Sequence, residues 1–577
     1  MSFFYTSERN VQIVIALLKA NNIKKVVASP GTTNITFIGS IMHDPFFEIY
    51  SSVDERSAAY IACGLAEESG EPVVISCTGA TASRNYFSGL TEAYYRKLPI
   101  IAITSTQDES NIGHLRAQVI DRSAQPKDTV KCSVHLQTIK DADDEWDCIV
   151  KANYAIEELE HRGRGPVHIN LTTTYSKDFS IETIPEVRRI KRLYYNSLLP
   201  EVKKGRIAIY VGSHLPFSEE LTKSIDNFCK CYNAVVFCEP TSNYFGAYRV
   251  AAGLVSAQYI SEALLSTDLL IHIGEVSDFT KKFFNTKEVW RVSEDGRFVD
   301  HFKKLTYVFE MSEFTFFKLY YIDDIHGEDS YLKLCKEHSL LLEKQIPDLP
   351  FSNIWIASVL HKKMPANSEL HLGILNSLRA WSLFDAKPLQ IFCNQGGFGI
   401  DGNMSAMIGA SLVNSEKLYY IILGDLAFFY DLNVLGNRHV GNNVRILLVN
   451  NGKGSEFHLR GNPGSLFLPE TERFISAGGH FTSKSKDIVK NIAEGWGFKY
   501  LKATNKEEFL NTLPLFLSTN NSISAPVIFE VFTTTENEDV AFHMMRSLDK
   551  VEKTPFMKVK EKVKNVLGEI NFINGKK

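Results

Sequence analysis

Apolar residues fall in two alternating patterns along this chain. Short unbroken runs read as buried strands: KVVA (25–28), FFEIYSSV (46–53), PVVISC (72–77), PIIAITS (99–105), RIAIYVG (206–212), AVVFCE (234–239), DLLIHIG (268–274), KLYYIIL (417–423) and RILLV (445–449). Between them lie stretches of helical spacing. Val11, Val14, Ile15 and Leu18 predict a first helix capped by Ser7. RSAAYIACGLAEESG (56–70) predicts a small-residue helix closed by Gly70. Strands alternating with helices imply an α/β fold of mostly parallel sheets flanked by helices.

At 577 residues the chain is too long for one core, and ordinary domain sizes suggest about three or four. The patterning places domains at 1–178, 179–349 and 350–545, with a Lys-rich tail at 546–577 read as a solvated or frayed end. RIKRLYYNSLLPEVKKGR (189–206) reads as a polar linker into the second domain. That domain carries no convincing dinucleotide fingerprint, since Gly212-Ser213-His214 alone is too weak.

Composition narrows the function classes. Hydrophobic content of 44% and charged content of 23% are those of a soluble globular protein. A net charge of −4 gives no basic footprint for nucleic acid. No apolar run is long enough to cross a bilayer, and the N-terminus lacks a secretory pattern, so neither membrane nor export is expected. The nine cysteines are scattered, and Cys229-x-Cys231 has no second pair to complete a zinc site. Reduced cysteines in a cytoplasmic protein are the expectation.

The chemistry concentrates between Gly424 and Lys453. One buried strand ends at Gly424-Asp425 and another at Asn450-Asn451. If the two are parallel neighbours, Asp425 and Asn451 share the carboxyl edge, where open α/β sheets bind ligands. A carboxylate, an amide oxygen and a nearby backbone carbonyl are hard ligands suited to Mg²⁺, which shares its sphere with phosphates. Gly424 and the amides of Leu426 and Ala427 could meet a diphosphate at a helix start. A lone Gly-Asp is an ordinary strand–helix turn. Gly-Asp followed 26 residues later by the second Asn of a pair, between buried strands, is far more specific.

This pattern resembles the signature of the thiamine-diphosphate-dependent enzymes. The resemblance implies Asp425 and Asn451, with the carbonyl of Lys453, as Mg²⁺ ligands. Leu426 departs from the Gly of many members, but the branch making the menaquinone precursor 2-succinyl-5-enolpyruvyl-6-hydroxy-3-cyclohexene-1-carboxylate also has Leu there. VDERSAAYIACGLAEESGEPVV (53–74) is similar to the segment carrying the family's activating glutamate. Taken alone, Glu55 reads as a helix-start carboxylate favoured by the dipole. The resemblance implies instead that Glu55 hydrogen-bonds N1′ of the cofactor's aminopyrimidine and sets the tautomer that removes the thiazolium C2 proton.

Two further blocks match in order. CTGATASRNYFSGLTEAYYRKLPIIAIT (77–104) resembles the family's glycine-rich turn and following helix, with Thr78, Gly79, Arg84 and Asn85 in it. The SPG turn at Gly31 joins Thr78 and Asn85 among the implied cofactor contacts. Arg84 reads equally as an anion contact or a surface salt bridge. His114 and Gln118 fall on a loop, where the family often places an active-site glutamine; a solvated glutamine is an even alternative. IFCNQGGFGIDGNMSAMIGASL (391–412) resembles the segment under the aminopyrimidine, implying Gly397 and Phe398 as contacts and Ile400 as the apolar support of the bent cofactor. Asn376 and Ser377 are implied diphosphate contacts.

The resemblance implies three α/β domains, thiamine diphosphate and Mg²⁺, a 2-oxo acid donor, a carbonyl acceptor, and a homodimer or tetramer with shared active sites. It implies a six-stranded middle domain. It weakens where substrate is held. The menaquinone-pathway branch uses arginines for its di- and tricarboxylate substrates. This chain has Thr32 and Thr33 in SPGTTN, Gln395 in NQGGFGIDG, and Trp381 beyond Asn376-Ser377 with Arg379 close by. None except Arg379 can make the bidentate bonds of arginine. Carboligation with a changed pocket, for a less anionic acceptor such as a keto-sugar, is the expectation. The alternatives are simple decarboxylation, the branch's own reaction, and a non-catalytic regulatory protein on the same fold.

Overall fold

The computed structural model describes residues 4–549 apart from 108, 123, 259–263, 277–284, 324–326, 328, 482–483 and 519–522. The expected C-terminal tail from residue 550 onward lies outside the described residues. The chain divides into two compact units, Met1–Glu201 with Glu288–Phe316, and Val202–Lys287 with Phe317–Lys577.

In the first unit, β1 (Lys25–Ala28), β2 (Glu48–Ser51), β3 (Val73–Thr78), β4 (Ile100–Thr106), β5 (Ser133–Leu136) and β6 (Val167–Thr172) form a sheet ordered β2-β1-β3-β4-β6-β5. Its pairings are parallel. β3, β4 and β6 are buried along their whole length, which is why they read as unbroken apolar runs. One face packs on helices Arg9–Ala20 and Ala142–Glu158 through residues such as Val14, Leu18, Ala152 and Ile156. The other packs on helix Glu55–Ser69 through Ala58, Ala59, Ala62 and Ala66. Gly70 closes that helix at φ 68°, its N–H returning to the Ala66 carbonyl, as expected.

The expected Ser7 cap is not made. Glu8 holds the cap position of the first helix without a side-chain cap bond. Ser7 Oγ instead meets Ser176 Oγ at 3.3 Å, and the Glu8 carboxylate accepts the N–H groups of Thr174 and Ser176. Bonds to a distant loop win over the local cap.

β7 (Lys191–Leu193), β8 (Ile207–Val211), β9 (Ala234–Cys238), β10 (Arg249–Ala251), β11 (Thr267–Ile273), β12 (Thr286–Val292) and β13 (Leu305–Phe309) form the middle sheet, ordered β10-β9-β8-β11-β12-β13-β7. It has seven strands rather than six. The expected linker supplies one of them. Ile190 and Leu193 are buried, and so is Arg192, whose Nη2 lies 2.9 Å from Glu158 and whose Nε lies 3.5 Å from Glu310. A basic residue that reads as solvated is taken inward by two acids.

In the second unit, β14 (Ser368–Leu372), β15 (Gln390–Cys393), β16 (Leu418–Gly424), β17 (Val444–Asn450), β18 (Lys499–Ala503) and β19 (Val527–Phe532) form a parallel sheet ordered β15-β14-β16-β17-β19-β18. Ile421, Leu423, Ile446 and Leu448 pack with Met404, Phe428 and Val489 on one face. The strand order repeats that of the first sheet, counted along the chain. Each sheet therefore reverses direction once near its centre, between β1 and β3 and between β14 and β16. Such switch points open a crevice at the carboxyl edge.

Among the described residues no helix is long and apolar enough to cross a membrane. All nine cysteines are free.

Glu538 is a buried carboxyl in the second unit. It accepts the Asn353 N–H at 3.0 and 3.1 Å and the Thr533 hydroxyl at 2.9 Å, and burial pushes it up to about 7. Between its ordinary range and pH 7 the unfolded chain loses this proton while the folded chain keeps it. Stability therefore falls as pH rises through that window, by about 3 kcal/mol in all. Glu538→Gln should melt above the wild type at pH 8, with the gap shrinking towards pH 5. Thermal unfolding followed by circular dichroism checks this; a gap independent of pH would contradict it.

Candidate active site

In the first unit, Asp54 caps helix Glu55–Ser69 by accepting the Ser57 N–H at 3.1 Å and the Ser57 hydroxyl at 2.7 Å. The capping role is thus filled by Asp54, and Glu55 is left over. Glu55 is half-buried and, among the described residues, makes no hydrogen bond or ion pair. Burial raises the Cys77 thiol, to about 12, and the Tyr86 hydroxyl, and the nearby Glu55 charge adds to both.

Gly31, in the turn after β1, and Thr78, the last residue of β3, touch at the first switch point. A Cβ on Gly31 would lie 2.0 Å from Thr78 Oγ1, so only glycine fits. Among the described residues the hydroxyls of Ser76, Thr78 and Ser105 are buried without a hydrogen-bond partner. Buried polar groups are ordinarily satisfied, so this edge is built for partners that the chain does not supply. Asn85 is exposed and donates to the Thr81 carbonyl at 3.3 Å. Gln118 is exposed on its loop at φ 65°, and Ala80 beside Gly79 sits at φ 55°. Non-glycine residues held there mark strained positions, which gather at functional sites. His114 is exposed on the same loop.

In the second unit, β16 and β17 pair in parallel with Gly424 opposite Val449, as the sequence predicts. Asp425 therefore starts its helix level with Asn450. It is 4% exposed and, among the described residues, has no cation beside it. Burial pushes it up to about 7 against hydrogen bonds from the amides of Leu426 and Gly452. Asn451 Oδ1 is also buried without a partner. Its Nδ2 donates to Ser455 Oγ at 3.1 Å, and Asn376 Nδ2 donates to the same oxygen at 2.9 Å. Ser455 thus ties Asn376, beyond β14, to Asn451, beyond β17. Lys453 pairs its ammonium with Glu472, which leaves its backbone carbonyl as the candidate ligand.

Ser377 is buried in the helix that Asn376 begins. Gly424 stands at the cap of the Asp425–Tyr430 helix, with Leu426 half-buried and Ala427 buried. Gly397 is exposed, Phe398 is 46% exposed at φ 54°, and Ile400 packs against the core of the third sheet. Ser455 and Tyr86 were missed by the sequence reading. A serine two residues past Lys453 was the only signal of the first. A tyrosine in a helical run gave none for the second.

Among the described residues no three His, Cys, Asp or Glu side chains cluster as a metal site. The donors at β16 and β17 are of another kind: one unpaired carboxylate and one unpartnered amide oxygen. Both are hard oxygen donors, the kind that would hold Mg²⁺.

Residues 9–125 match the family described as thiamine pyrophosphate enzyme, N-terminal TPP binding domain. Over 566 residues the chain is 32% identical to a 2-succinyl-5-enolpyruvyl-6-hydroxy-3-cyclohexene-1-carboxylate synthase of Bacteroides fragilis, covering 93% of this chain and 98% of that one. It is 31% identical over 560 residues to the synthase of the same name from Bacteroides thetaiotaomicron, covering 93% and 97%. It is 32% identical over 562 residues to that of Phocaeicola vulgatus, covering 92% and 97%. The chain belongs to the thiamine pyrophosphate enzymes. It is a thiamine pyrophosphate-dependent transferase or lyase acting on 2-oxo acids.

The Asp425 carboxylate is the donor whose part in holding a metal can be tested directly. Asp425→Ala should abolish Mg²⁺-dependent binding of thiamine diphosphate. Calorimetric titration measures it; unchanged affinity in the variant would remove Asp425 from the metal site.

Proposed function

We propose that this chain is a carboligase of the kind its relatives are named for. It decarboxylates a 2-oxo acid and joins the remaining acyl carbon to an acceptor, forming a carbon–carbon bond. The observation that carries this is likeness to 2-succinyl-5-enolpyruvyl-6-hydroxy-3-cyclohexene-1-carboxylate synthases over 93% of the chain. The succinyl group of that name is what a five-carbon 2-oxo dicarboxylate leaves after losing CO₂, so 2-oxoglutarate is the proposed donor. Thiamine diphosphate, when bound, supplies the electron sink for that loss.

The chain's own residues take these roles. Asp425, Asn451 and the Lys453 carbonyl hold Mg²⁺. Asn376, Ser377, Gly424, Leu426 and Ala427 hold the diphosphate. Gly31, Thr78, Asn85, Gly397, Phe398 and Ile400 shape the cofactor site, and Glu55 holds a proton at the pyrimidine ring. Gln118 stands at the substrate. Residues 1–178, 179–349 and 350–545 serve as pyrimidine, middle and diphosphate domains.

A second reading keeps the reaction and changes the acceptor. Thr33 is buried and donates to the Ser105 carbonyl at 2.7 Å. Gln395 is buried and donates to Thr241 Oγ1 at 2.8 Å, and Trp381 is a core residue. Arg379 pairs with Glu456. None of these positions offers a free cation to a carboxylate, which favours a less anionic acceptor.

Incubation with Mg²⁺, thiamine diphosphate, 2-oxoglutarate and the enolpyruvyl-hydroxycyclohexadiene carboxylate acceptor separates the readings. Mass-spectrometric detection of the product named above is expected. CO₂ release without that product would favour the second reading, and no CO₂ release would contradict both.

We also propose a homodimer at least, in which Glu55 of one chain completes a site with Asp425 of another. Val53, Tyr60 and Ile61 are exposed apolar residues near Glu55, and Leu466, Phe467 and Phe474 are exposed beyond the Asn451 motif. Such exposure fits faces that are covered on assembly. Inactive Glu55→Gln and Asp425→Ala chains should regain part of the activity when co-assembled, because a mixed dimer holds one intact site. Verified mixed dimers with no activity would refute the sharing.

A further inference from the structure

Among the described residues, Arg84 and Arg122 of the first unit have no ion-pair partner. Arg122 lies on the loop after β4 and is 4% exposed. Its Nη1 donates to Thr104 Oγ1 at 3.0 Å and its Nη2 donates to Asn170 Oδ1, both neutral acceptors. A Cβ on Gly79 would lie 2.9 Å from Arg122 Nη1, so the guanidinium lies against the turn that follows β3. Arg84 belongs to the short helix after that turn. Its Nη2 donates to the carbonyl of Asp121, the residue before Arg122, at 2.8 Å, and its guanidinium stacks 5.3 Å over the Phe87 ring. Among the described residues neither arginine forms an ion pair with a carboxylate. Glu109, whose charge reaches Arg122, lies 3.1 Å from His135 Nδ1.

A buried guanidinium without an anion is costly, and a second guanidinium nearby raises the cost. Burial lowers Arg122 to about 10, and the Arg84 charge adds to the fall. An anion drawn to both would relieve both penalties. The place also suits a ligand. It is the carboxyl edge of β3 and β4, beside the switch point and on the loop that carries Gln118. The fork of arginine matches a carboxylate by paired N–H bonds.

We propose that Arg84 and Arg122 form a carboxylate subsite on the first unit. Resting on the carboligation reading for its identity, the anion is a carboxylate of the donor or of the acceptor. The positions where the sequence lacks arginine thus have a replacement placed elsewhere in the chain.

The full chain, loaded with thiamine diphosphate and Mg²⁺, is titrated by calorimetry with glutarate as the donor skeleton and 1-cyclohexene-1-carboxylate as the acceptor skeleton. Arg84→Gln and Arg122→Lys should each weaken at least one probe by about tenfold or more, with thiamine diphosphate affinity unchanged. Loss confined to glutarate assigns the donor; loss confined to the cyclic acid assigns the acceptor. Arg84 is exposed, so Arg84→Gln decides the matter even if Arg122→Lys fails to fold. Equal affinity of wild type and Arg84→Gln for both probes would overturn the subsite. So would a wild type that binds neither probe, or one in which Arg84→Gln weakens only inorganic phosphate. The titration reads binding without turnover, so its outcome is independent of whether the chain forms a carbon–carbon bond.

Discussion

A carboxylate kept out of water with no cation beside it is the constraint on which the second unit turns. Asp425 is 4% exposed, and among the described residues its compensation comes from backbone amides, those of Leu426 and Gly452 foremost. An isolated protein would not retain such a group for stability, since an apolar residue of similar size costs less there. Asn451 Oδ1, one strand over, is in the same unmet state. A divalent cation held there would resolve both at once.

The same logic runs through the first unit in neutral form. Among the described residues the hydroxyls of Ser76, Thr78 and Ser105 and the Glu55 carboxylate lie around strands β1, β3 and β4 without hydrogen-bond partners. Both sheets carry one strand order, so both open a crevice at the same place in their topology. One crevice presents the Asp425 carboxylate and the Asn451 amide oxygen, donors that would suit a metal. The other presents hydrogen-bonding groups and a lone acid suited to a polar ring. The chemistry of a thiamine pyrophosphate enzyme needs both kinds of surface, and the fold obtains them by using one arrangement twice.

Much of this was readable from residue pattern because parallel strands buried on both faces leave unbroken apolar runs. KLYYIIL and RILLV announce β16 and β17, and their polar ends mark Asp425 and Asn451 without any knowledge of contacts. What the pattern hid depends on partners far along the chain. Arg192 reads as part of a polar linker until Glu158 and Glu310 draw it into a strand. Ser7 reads as a cap until Ser176 takes its hydroxyl. Ser455 gains meaning only when Asn376 and Asn451 converge on it. Arg122 reads as one more loop cation until its burial against the Gly79 turn sets it apart.

The claim beneath all of this is that the unmet groups at the two sheet edges are kept for one cofactor and its metal. The protein, purified with thiamine diphosphate and Mg²⁺ present and freed of excess, can be denatured and its released contents measured by mass spectrometry and metal analysis. The account predicts one thiamine diphosphate and one Mg²⁺ per chain. A folded protein that retains neither, at saturating concentrations of both, would contradict it.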